Sequence, residues 1–142
     1  MAHHAPLKNS FIFLVEDDAL IVALYTDVLK AQGFSVEVAF DGKQALEKLE
    51  VMRVKAKIPA VILLDIMMPK MNGFEVLDSI KKNNALKDIP VIILSNASVS
   101  GEKDRAFQLG ALMYLVKVEH TPMQVIQKVR EVIESNGAYH QS

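Results

Sequence analysis

From Phe11 onward the chain alternates between short runs that are apolar on successive residues and longer stretches in which apolar residues recur every three or four positions. The runs at 11–16, 35–40, 60–65, 89–95 and 112–117 predict β-strands, because a strand covered on both faces carries apolar side chains without alternation. The run at 35–40 alternates more and fits an edge. Helical stripes lie between the runs: Leu20, Leu24 and Val28; Ala45, Leu46, Leu49 and Met52; Phe74, Leu77 and Ile80; and Val125, Ile126, Val129, Val132 and Ile133. The stretch 98–109 has a weaker stripe in Ala106, Phe107 and Leu109 and is also expected to be helical.

Strands that alternate with helices need crossover connections, which make them parallel members of one sheet with helices on both faces. The expected fold is α/β, a doubly wound (βα)5 three-layer sandwich around a five-stranded parallel sheet. Punctuation agrees with it. Asp41 with Gln44, and Thr121-Pro122-Met123-Gln124, read as helix starts with capping boxes, while Gly33 and Gly137 stand where helices stop. In such sheets ligands bind beyond the carboxyl ends of the strands, where the winding reverses.

The chain has 142 residues and no Pro-, Ser- or Gly-rich linker, which fits one domain over 11–135. Residues 1–10 are expected to be a disordered N-terminal segment or an expression remnant, and 136–142 a flexible tail. A hydrophobic share of 51% against 23% charged residues is that of a soluble globular protein. A net charge of -1 supplies no basic field for nucleic acid. No apolar run approaches the roughly 20 residues of a membrane helix, and residues 1–10 lack the apolar segment of a secretory signal. The absence of cysteine agrees with a reducing compartment. Together these indicate protein partners and a cytoplasmic location.

The strand ends supply Glu16-Asp17-Asp18, then Asp65, then Ser95-Asn96, then Lys117. Taken singly, each has an ordinary reading: Asp17 and Asp18 as helix caps, Asp65 and Ser95 as turn residues, Lys117 as a solvated charge and Tyr114 as a half-buried strand aromatic. Taken together, they put acids, a hydroxyl and an ammonium on one rim. Crowded carboxylates repel unless a proton or a cation intervenes. All-oxygen ligands select a hard ion, so Mg²⁺ is expected, with Mn²⁺ as a substitute and Ca²⁺ less apt. Such a site suits phosphoryl transfer, in which the protein aligns groups and neutralises charge and one carboxylate serves as nucleophile. Asp65 is the candidate, because it ends the most apolar strand and no competing acid follows in Ile66-Met67-Met68-Pro69.

Glu16-Asp17, Asp65 with Pro69 and Gly73 after it, Ser95, and Gly110-Ala111 with Tyr114 and Lys117 form an ordered set that resembles the receiver (CheY-like) domain of bacterial two-component response regulators. The resemblance implies a flavodoxin-like strand order 2-1-3-4-5. It implies that Asp65 is the phosphoacceptor, and that Asp17 and Asp65 bind the metal with the Met67 carbonyl, with Glu16 acting directly or through water. Ser95 and Lys117 would hold the phosphoryl oxygens, and Tyr114 would be the switch aromatic that rotates with phosphorylation. The donor would be a histidine kinase or phosphotransfer protein, and the output a protein partner on the surface of the fourth helix, fifth strand and fifth helix. Three positions depart from the pattern. Asn96 replaces a small residue, Val118 replaces a Pro with a cis bond, and Ala111-Leu112-Met113 lacks the acids of a charged dimer interface, leaving a monomer or weak dimer. At Lys117–Val118 a trans bond is expected, because a non-proline cis bond costs about 2.5–4 kcal/mol.

The expectation is a switch that assists its own phosphorylation and dephosphorylation, not a metabolic enzyme. Asn96 and Val118 keep open a phosphorylation-independent pseudo-receiver that only binds proteins. A haloacid-dehalogenase-like enzyme would need an acid at Met67, and a flavin protein would need a phosphate loop where Glu16-Asp17-Asp18 stand. Among the methionines, Met67, Met68, Met71 and Met113 read as gap fillers more than as a binding surface. His120 and His140 read as solvated, without a second ligand.

Overall fold

The computed structural model describes residues 11–68, 70–96 and 99–135. Strands β1 (Phe11–Val15), β2 (Ser35–Ala39), β3 (Val61–Asp65), β4 (Val91–Ser95) and β5 (Met113–Val116) alternate with helices α1 (Ala19–Ala31), α2 (Gly42–Val54), α3 (Gly73–Lys82), α4 (Glu102–Gln108) and α5 (Pro122–Ser135). The sheet is parallel throughout, in the order β2-β1-β3-β4-β5. Strand alternation divides the interior into two cores. Phe13, Val15, Ile62, Leu64, Val91 and Ile93 face α2, α3 and α4, whereas Ile12, Leu14, Val61, Leu63, Ile92 and Leu94 face α1 and α5. β3 and β4 are buried at every residue, and β2 alternates as an edge strand does.

The helix starts follow the sequence signals with one shift. Thr121 and Gln124 cap each other's backbone, Thr121 N–H donating to Gln124 Oε1 (2.9 Å) and Gln124 N–H to Thr121 Oγ1 (3.1 Å). Asp41 Oδ1 accepts the Gln44 amide at 2.7 Å, but the Gln44 side chain accepts from Phe40, one residue before the cap. Gly33, at φ +93°, closes α1: its amide donates to Lys30 O and that of Phe34 to Leu29 O, the paired bonds of a Schellman stop. Gly137 lies outside the described residues.

Two helices depart from expectation. In α1 the buried stripe is Val22, Tyr25 and Leu29, whereas Leu20 is 81% and Leu24 48% exposed. Residues 19–25 are apolar almost throughout, so the sequence holds two competing helical phases. The Gly33–Phe34 reversal brings Leu29 and Phe34 into the same core and selects the second phase. α4 begins at Glu102, after Gly101 at φ +86°, which breaks the helical path expected from 98; Ser98 itself lies outside the described residues. Its buried residue is Ala106, while Phe107 is 42% exposed. His120 is partly exposed, and its Nδ1 lies 3.1 Å from Val116 O; His140 lies outside the described residues. Met68 is buried, Met71 and Met113 partly so, and Met67 is exposed.

Candidate functional site

The winding reverses between β1 and β3, and the residues that end β1, β3, β4 and β5 line the carboxyl edge of the sheet on that side. Glu16 continues β1, its amide donating to Ala39 O at 3.0 Å, and its side chain is 1% exposed. Asp17 is exposed and Asp18 caps α1 through bonds from the Leu20 and Ile21 amides. Asp65 ends β3, also 1% exposed, and accepts the Met67 amide at 3.2 Å. One carboxylate oxygen from each of Glu16, Asp17 and Asp65 lies within 4.8 Å of the others.

Lys117 follows β5 and opens a short 3₁₀ turn, Lys117–Glu119. Its ammonium donates to Glu16 Oε1 at 2.6 Å and stands 3.8 Å from Asp65 Oδ1, while Glu16 Oε2 accepts the Asp18 amide at 3.1 Å. The described residues hold no cis peptide bond, so Lys117–Val118 is trans as expected, and Val118 is 83% exposed. Burial first, and then the Glu16 charge, push the Asp65 carboxyl up to about 7, against the pull of Lys117 and the Met67 amide. The donor set is oxygen only, carries more negative charge than one lysine offsets, and fits a hard divalent cation.

Ser95 ends β4, 2% exposed, one residue beyond Leu94, the register partner of Asp65. Tyr114 in β5 is 9% exposed, and its hydroxyl donates to Glu102 Oε1 at 2.8 Å. Asn96 is exposed; Pro69 lies outside the described residues.

Gly73 brings α3 against the end of β3. A Cβ there would lie 2.5 Å from Asp65 O and 2.6 Å from Ile66 Cα, and the Gly73 amide donates to Ile66 O at 2.8 Å, so α3 abuts the Asp65 backbone itself. Asn72 and Glu75 lock this start in a reciprocal cap, a pattern legible in Asn72-x-x-Glu75 but not singled out above. Glu102 was also missed, and nothing local in the sequence marks it. A groove of about 430 Å³ is lined by Phe11, Ser35, Val36, Val51 and Met52 at the end of the sheet opposite the acidic rim.

Residues 12–130 match the response regulator receiver domain family. The chain is 39% identical over 112 residues to a gliding motility regulatory protein of Myxococcus xanthus, covering 79% of this chain and 14% of that protein. It is also 39% identical over 106 residues to the transcriptional regulatory protein CrdR of Helicobacter pylori, covering 75% and 47%. The chain thus spans less than half of either relative. The crystal structure of the phosphorylated cyanobacterial phytochrome response regulator RcpA superposes with a TM-score of 0.74 at 31% identity, covering 87% of this chain and 90% of that one. An acidic rim closed by a lysine, on a sheet ordered 2-1-3-4-5 and matched over nearly all described residues, places this chain in the response regulator receiver domain family.

Proposed function

We propose that the unit 11–135 is a phosphorylation-dependent switch in which Asp65 accepts a phosphoryl group from a histidine kinase or phosphotransfer protein. The observation that carries this is the meeting of the Glu16, Asp17 and Asp65 oxygens within 4.8 Å, with the Lys117 ammonium against two of these residues. Asp17, Asp65 and the Met67 carbonyl would hold Mg²⁺, or Mn²⁺ in its place, with Glu16 binding directly or through water. Bound there, the ion neutralises charge between the carboxylate and the incoming phosphoryl oxygens.

An Asp65 oxygen attacks phosphorus, the P–N bond to the donor imidazole breaks, and the electron pair leaves with that nitrogen. Lys117 moves from Glu16 toward the transferring group, and Ser95 donates its proton to a phosphoryl oxygen. Leu20, Phe40, Met67, Val118 and Met123 are exposed apolar side chains next to the strand ends, a rim suited to a protein donor. Output lies on α4, β5 and α5, where Phe107 is exposed and Leu112 and Met113 are partly so. Among the described residues no helix is long and apolar enough to cross a membrane, in keeping with a cytoplasmic site of action. The phosphorylated state of RcpA supports this chemistry on the same fold. Intact-mass measurement with a small phosphodonor and Mg²⁺ tests it: the wild type gains one phosphoryl group and Asp65→Asn does not. Gain by Asp65→Asn refutes the assignment, and gain by neither leaves the phosphorylation-independent interaction module.

A further inference from the structure

The start of α2 is in contact with both acidic strand ends. On one side Ala39, the last residue of β2, accepts the Glu16 amide at 3.0 Å, so the Glu16 backbone is held by the residue three before Gly42. On the other side Gly42 is buried against the turn that leads into α3. A Cβ there would lie 2.6 Å from Met71 O, 2.8 Å from Met71 Cβ and 2.9 Å from Val76 Cγ2. Met71 stands two residues before Gly73, which lacks a Cβ where α3 meets the Asp65 carbonyl and whose amide donates to Ile66 O at 2.8 Å. Two glycine contacts in series therefore join α2 to the Asp65 backbone.

Conformation does not explain the first of these glycines. Gly42 has no positive φ, and as the first residue of α2, capped by Asp41, it occupies a place that any helix former could take. What excludes a side chain is the Met71 backbone, which cannot swing aside as the end of a flexible side chain could. Asp41 adds a looser tie to the same turn, its Oδ2 lying 3.8 Å from the Lys70 ammonium.

We propose that Gly42 is a positioning residue for the acidic site: by seating α2 directly on the Met71 backbone, it fixes the turn against which Asp65 rests relative to the strand end that carries Glu16 and Asp17. The proposal rests on the reading of these three acids as the Mg²⁺ site. Their oxygens meet within 4.8 Å. Mg²⁺ demands near-ideal geometry of its ligands, so a displacement of Asp65 by about 0.5 Å spoils the shared arrangement.

The test is the Mg²⁺ dissociation constant of the full chain, measured by amide-resolved titration, which also reports folding. Gly42→Ala is expected to weaken Mg²⁺ binding about tenfold, as the loss of a supporting residue behind a metal site does. Leu49, 1% exposed, lies two turns further along the same helix. Leu49→Ala is expected to leave the constant unchanged, because a cavity loosens α2 without pushing on the turn. Unchanged binding by Gly42→Ala, or equal weakening by Leu49→Ala, overturns the proposal, the latter because general loosening of α2 would then explain both. Should either variant fail to fold, the wild type decides. Its Gly42 and Met71 amides are expected to follow the Mg²⁺ titration with the same constant as the Asp65 amide while that of Leu49 stays still, and unmoved Gly42 and Met71 amides overturn the proposal. Failure of the wild type to bind Mg²⁺ overturns instead the reading of the acidic site.

Discussion

The Lys117 ammonium lies closer to Glu16, at 2.6 Å, than to Asp65, at 3.8 Å, so in this state its charge chiefly neutralises Glu16. Glu16 is 1% exposed, and a buried carboxylate stripped of its ion partner destabilises by about 3 kcal/mol. Lys117→Ala should cost about that much in metal-free urea unfolding. It should also bind Mg²⁺ more tightly, because a positive charge has gone, yet accept phosphate more slowly, because the phosphoryl oxygens lose a cation. Parallel loss of Mg²⁺ affinity and phosphorylation would contradict this division of labour.

On the proposed reading, a proton and Mg²⁺ would compete at Asp65. Its carboxyl titrates at about 7 in the fold, chiefly through burial and the Glu16 charge, against an ordinary value of 3.8. The folded state therefore holds a proton that the unfolded chain releases. The stability from this group is complete below the unfolded value and is lost as pH rises through about 7. Metal-free protein should be less stable at about pH 8 than at about pH 5 by an increment missing in Asp65→Asn. Mg²⁺ affinity should climb over the same range and then level off. A wild-type pH profile identical to that of Asp65→Asn would show that Asp65 titrates normally.

Two glycines separate crowding from backbone strain. At Gly73 a Cβ would press on the Asp65 carbonyl, which belongs to a fully buried strand and cannot yield cheaply. Gly73→Ala should cost about 2 kcal/mol or more and, on the proposed reading, slow phosphorylation by displacing Asp65. Gly101 has no neighbour within 4 Å but sits at φ +86°, so Gly101→Ala should cost about 1 kcal/mol with Mg²⁺ binding unchanged. Equal effects on Mg²⁺ binding would refute the distinction.

The sheet and the strand-end residues were legible because both depend on local pattern: apolar runs mark buried strands, and chemistry falls on the residues that end them. All five strands lie within two residues of their expected bounds. The phase of α1 was not legible, since Leu20 and Leu24 are as apolar as Val22 and Leu29 and only tertiary docking chooses between them. The start of α4 was set by the left-handed Gly101, and the Glu102–Tyr114 bond depends on the rotation of that short helix against β5. Geometry of this kind leaves no periodic trace in the sequence.

The link from Asp65 to α4 yields the final prediction. Tyr114 is already buried, so phosphorylation need not draw an exposed ring inward; the contact it would have to alter is the bond that ties the Tyr114 hydroxyl to Glu102 at the start of α4. α4 is tied at a second point, where the Arg105 guanidinium stacks 4.2 Å from the Phe74 ring centroid at the start of α3, next to the loop that follows Asp65. A phosphoryl group adds about 1.5–2 negative charges and shifts the equilibrium only through its different interaction with each arrangement of these contacts. Beryllofluoride with Mg²⁺ should therefore shift amide resonances in α4 and β5 as well as around Asp17 and Asp65. Arg105→Ala, which frees one of the two ties, should enlarge the α4 shifts without abolishing binding of the mimic. Changes confined to the acidic rim, with α4 and β5 unmoved, would mean that phosphate is bound but not transmitted, and the output surface would then have to be sought elsewhere.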